Sequence, residues 1–176
     1  MLAAVHVEAL DPRLPDVHRL VYDGEEGGMT GKADFTEDDW RIVLEGPPTA
    51  GMILVTAQRG GTFRETPAIA KTYVEARKQH GESELLDEIV LAKPVIDRTR
   101  YHSAEELKEH GLQHLRAAVE LLERKATPEE LDDYKRFVLN VADKVANAHR
   151  EGGESASADE RAAIEAIAAN LGATAP

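Results

Sequence analysis

The 176-residue sequence has no cysteine, so disulfides, thiolate metal ligands and thiol nucleophiles are excluded at once. Aromatics make up only 5% of it, which leaves the core to Leu, Ile, Val and Ala. No apolar run approaches the roughly 20 residues that a membrane-spanning helix needs. The stretch Met1-Leu2-Ala3-Ala4 has neither the basic segment nor the long apolar core of a signal peptide, and a cytoplasmic location is the default expectation. Positive charge is also short. The formal net charge is -12, against the concentrated basic surface that a phosphate backbone or an anionic membrane selects, so no nucleic-acid or membrane partner is expected.

What the chain does have is a succession of capped, amphipathic helical patterns. The clearest covers residues 127–171. Thr127-Pro128-Glu129-Glu130 combines an N-cap, a proline at the first helical position and a glutamate placed to reach back. Leu131, Tyr134, Val138, Val141, Val145 and Ala148 follow at steps of three and four, with Phe137 and Ala142 widening the stripe. Gly152-Gly153 close that helix. Ser157-Ala158-Asp159-Glu160 opens another, with Ile164, Ile167, Ala168 and Leu171 inward and Gly172 as its C-cap.

Upstream, Thr36 caps a short helix through Trp40, Val43 and Leu44, with Phe35 as a hydrophobic staple. Pro47-Pro48 are expected to break the chain and to start a second helix from Thr49 to Gln58, whose Met52-Ile53-Leu54-Val55 run suggests burial on several sides. Residues 64–79 read as a further helix with Ile69, Tyr73, Val74 and Ala76 inward. Ser83 caps a segment carrying Leu85, Leu86, Ile89, Val90 and Leu91, which stops before Pro94. Ser103-Ala104-Glu105-Glu106 opens a helix to about Lys125. Short connections between such segments favour antiparallel neighbours. The expectation is an all-α protein, a compact bundle of about six helices in a single domain over residues 29–176. Residues 1–28, interrupted by two prolines and Gly24-Glu25-Glu26-Gly27-Gly28, read as a loosely ordered N-terminal extension. Met29-Thr30-Gly31-Lys32 looks like a natural start behind an added leader.

Two stretches carry a resemblance. Asp34-Phe35-Thr36-Glu37-Asp38-Asp39-Trp40, followed by Pro47 and Ala50-Gly51-Met52, is one. The other runs from Lys125 through Tyr134-Lys135-Arg136 and Val141-Ala142 to Glu151-Gly152-Gly153, Ser157 and Glu160. Over roughly residues 30–172 the chain resembles an uncharacterised family of small all-helical bacterial proteins, and its C-terminal hairpin is similar to TerB-like tellurite-resistance domains. The first family usually carries an apolar, glycine-rich loop before the serine cap, which this chain replaces with Glu154-Ser155-Ala156. The resemblance implies a helical fold more than an activity.

Two places have the residue types of a divalent metal site. His110 and His114 lie one turn apart, with Glu106 a turn earlier; the plain alternative is a solvated polar stripe. Glu151 and Glu154, with Asp159 and Glu160, could offer oxygen ligands to a hard cation; the alternative is loop solvation and helix-dipole compensation. No catalytic residue and no cofactor is assigned, because carboxylate pairs such as Glu129-Glu130 and Asp132-Asp133 are abundant and sit in first helical turns. The basic run Arg64, Lys71, Arg77 and Lys78 reads as a solvated face. Trp40 is a partner-contact candidate if exposed and the largest core residue if buried. The reading is a non-enzymatic protein, a stress-related or assembly module acting through a protein partner or as a homodimer. The alternatives are a TerB-like cation-binding domain and an enzyme of unknown type.

Overall fold

The computed structural model describes residues 29–57, 67–79, 83–94, 100–150 and 157–175. Among them the protein is all-α. Six helices run as α1 (Glu37–Ala57), α2 (Pro67–Ala76), α3 (Glu84–Leu91), α4 (Ala104–Lys125), α5 (Pro128–Arg150) and α6 (Ala158–Leu171). Residues 1–28, the expected extension, lie outside the described residues.

The centre of the bundle is α1. It packs most heavily on α4 and α5; α6 closes over α1, α4 and α5, while α2 and α3 cover another side of α5. The expected break at Pro47-Pro48 does not occur, and two expected helices are one. Each proline lacks the N–H that would serve the carbonyl four residues back, which for Pro47 is that of Val43. The protein supplies a substitute: the Tyr134 hydroxyl, from α5, donates to the Val43 carbonyl at 3.0 Å. One residue earlier, His114 from α4 places Nε2 2.9 Å from the Ile42 carbonyl. Both prolines are buried, with neighbours from Ala50 through Val55, so helix packing compensates a local cost of about 3 kcal/mol.

Close approach requires the glycines of this region. A Cβ on Gly46 would collide with the Tyr134 hydroxyl oxygen, and one on Gly111 would lie 2.9 Å from Thr49 and 3.0 Å from Ile53. Those contacts are where α1 meets α5 and α4.

The helix starts are built as their sequences dictate. Phe35 and Trp40 form the staple, with ring centroids 5.5 Å apart, and Thr36 Oγ1 accepts from the Asp39 N–H. Reciprocal capping boxes join Thr127 to Glu130 and Ser157 to Glu160. At α4, Ser103 accepts from the Glu106 N–H, while the Glu106 carboxylate accepts from His102, one residue further out than in a regular capping box. Gly172 closes α6 in the left-handed conformation, φ 62°. The N-terminal approach is stitched in as well. Thr30 donates its N–H to Glu130 and its hydroxyl to the Lys125 carbonyl, and Lys125 Nζ returns to the Asp34 carbonyl.

Val74, expected to face inward, and Leu91, for which no side was assigned, both face outward. Val74 is 48% exposed, because Ala68, Ile69, Thr72 and Tyr73 define the buried side of α2. Leu91 is 70% exposed at the end of α3, where Leu85, Ile89 and Val90 turn inward.

Candidate functional site

Helical spacing brings His110 and His114 to one cavity of about 450 Å³, as expected, with Arg100, Tyr101 and Glu106 also on its wall. Each of these side chains already has a partner. Because a carbonyl only accepts, His114 Nε2 carries the hydrogen given to Ile42, which leaves Nδ1 as its one bare nitrogen. Burial lowers the pKa of His114 below the usual histidine value, the Ile42 bond and Glu45 work in the other direction, and Arg100 adds to the lowering. The His110 ring stacks on Tyr101 at 6.3 Å between centroids, and Glu106 is engaged by His102. Among the described residues, no group of three or more His, Asp or Glu side chains is arranged to hold a metal ion. Glu151 and Glu154, the other candidate set, lie outside the described residues.

Trp40 resolves to the core side of its two readings. It is 7% exposed and packed beneath Phe35, so the partner-contact role is withdrawn. Within the basic run, Arg77 is not a solvated charge: its guanidinium donates to the carbonyls of Val90 and Ala92 and so finishes the C-terminal end of α3. Lys71 and Lys78 are exposed as expected, and Arg64 lies outside the described residues.

A larger concave surface lies between α2 and α5. One cavity of about 820 Å³ is bounded by Glu75, Gln79, Asp87, Asp133, Arg136 and Asn140 among others. A second of about 630 Å³ continues from it, sharing Glu75 and Lys144 and adding Lys71 and Asn147. Residues late in α2 face residues early in α5, so the two walls run antiparallel. The combined groove follows α5 from Asp133 to Ala148, about 22 Å at the rise of an α-helix. Two ion pairs lie on its walls. Lys144 pairs with Glu75 at 3.3 Å, and Arg136 with Asp133 one turn away. Leu86 and Phe137 give one end an apolar floor.

Sequence reasoning missed this groove. Its signal was present as polar residues at helical spacing beside the apolar stripes, Asn140, Lys144 and Asn147 on one helix and Lys71, Glu75 and Gln79 on the other. Nothing in the sequence paired the two helices. No described helix is long and apolar enough to cross a membrane. Comparison with family models, curated proteins and solved structures finds no significant match to this chain.

Proposed function

We propose that the chain is a non-enzymatic, cytoplasmic interaction module and that a partner polypeptide docks in the groove between α2 and α5. The observation that carries this reading is the pair of contiguous cavities along about 22 Å of α5. That length suits a short helix or an extended segment of a few residues. Matched ion pairs on the walls favour a partner that brings its own balanced charges, and Asn140 offers an amide able both to donate and to accept. Leu86 and Phe137 supply an apolar contact at the α3 end.

The test is affinity capture from cells with the wild-type chain and with a doubly substituted groove, Asn140→Arg with Lys144→Glu, both residues lying outside the buried core. Partners lost only from the folded double variant support the reading; an unchanged partner set refutes it. Native mass spectrometry of the full chain, with and without a chelator, sorts the alternatives. A dimer lost in the groove variant makes the partner a second copy. A mass increment removed by the chelator moves the reading to cation binding.

A further inference from the structure

The walls of the α2–α5 groove change character turn by turn. The Glu75–Lys144 pair fixes the level at which the two antiparallel helices face each other. One turn on toward α3, the walls carry the amides of Gln79 and Asn140, and beyond them lies the apolar floor of Leu86 and Phe137. One turn the other way stands Lys71. Neither amide makes a side-chain hydrogen bond among the described residues, and Lys71 has no ion pair among them. From Phe137 to the level of Lys71 is about 16 Å at the rise of an α-helix, or about five residues of extended chain.

We propose that the occupant of this groove is an extended segment of a partner protein, with an apolar side chain on Leu86 and Phe137, its backbone held between Gln79 and Asn140, and a carboxylate about five residues along on Lys71. The inference rests on the groove being the docking site and names what docks there. A helix is the poorer match, because it spends its interior N–H and C=O groups on itself and binds through a continuous apolar strip at steps of three and four. Beyond Phe137 these walls are polar at every turn, and apolar contact is confined to one end. An extended chain leaves its peptide groups unpaired, and a primary amide can both donate to them and accept from them. The net charge of -12 works against a segment rich in carboxylates, so the acidic residue is a single one in an otherwise neutral or basic stretch.

The probe is a phage-displayed library of random nonapeptides, selected on the immobilised full chain and on its Lys71→Glu variant, with folding checked by circular dichroism. The wild type should select an apolar and an acidic residue about five positions apart, in either chain direction. On Lys71→Glu the acidic position should turn basic while the apolar one stays. A peptide selected on the wild type, measured by fluorescence anisotropy, should bind about tenfold more weakly when a peptide nitrogen between its two anchors is methylated. Apolar residues selected at helical steps, an acidic position unchanged on Lys71→Glu, or methylation without effect would each overturn the proposal and leave the groove as the docking site. Peptides that bind the Asn140→Arg, Lys144→Glu double variant as well as they bind the wild type would place the docking site elsewhere, and both readings would fall.

Discussion

Two buried tyrosines a short way apart behave as opposites. The Tyr134 hydroxyl serves the Val43 carbonyl, while the Tyr73 hydroxyl, equally out of water, finds no hydrogen-bond partner among the described residues. Removing the first strands a buried acceptor; removing the second relieves a buried donor. Tyr134→Phe should therefore cost about 1–3 kcal/mol of stability in urea unfolding, and Tyr73→Phe should be neutral or stabilising. A loss of similar size in both would show that the two hydroxyls are equally satisfied. Gly46→Ala should destabilise by about 1–3 kcal/mol through collision with the Tyr134 hydroxyl, with partial recovery when combined with Tyr134→Phe. At this scale the sequence was a partial guide. Tyr134 stood on a legible apolar stripe and is buried, but its hydrogen bond reaches 91 residues back and leaves no local trace. Trp40 could be read either way, since its burial depends on what α1 packs against.

Elements whose ends are set by neighbouring residues were the most readable. The starts at Thr127, Ser157, Ser83 and Ser103 all carry side-chain caps, and the Gly172 stop takes its left-handed turn, because each needs only residues within four or five positions. Ser157→Ala should accordingly lower stability by about 1 kcal/mol, checked by chemical denaturation, with the Glu160 side chain losing the pre-organised end of its box. The misreading at Pro47-Pro48 has the converse cause. A proline's local effect is to end a helix, and here the freed carbonyl is served by a residue from another helix, so the outcome belongs to tertiary structure. Val74 failed for a smaller reason: apolar character marks a residue as able to be buried, without saying that its helix offers it a neighbour.

For the whole molecule, acidity works against the fold through His114. Burial lowers its folded-state pKa below the ordinary histidine value of about 6.5, so the unfolded chain binds the proton more readily. The contribution is thus complete above pH 6.5 and is lost as pH falls through the lower folded value. Melting temperature should decline with acidification in that window in the wild type, and His114→Gln should flatten that part of the curve. A net charge of -12 adds general self-repulsion, and screening it with salt should raise the melting temperature modestly. The all-α class was legible because every segment repeats one periodicity. The α2–α5 groove was not, since it exists only once two helices distant in sequence lie side by side.

The bonds that complete α1 also set a schedule for the growing chain. A ribosome delivers α1 before the other described helices, yet the hydroxyl that serves its Val43 carbonyl follows 91 residues later. Until α4 and α5 emerge, the central helix has an open carbonyl at Val43 and an uncovered apolar surface. The earliest of the described helices is therefore completed late, and a nascent chain halted before α5 should be one that chaperones hold rather than one that has begun to fold.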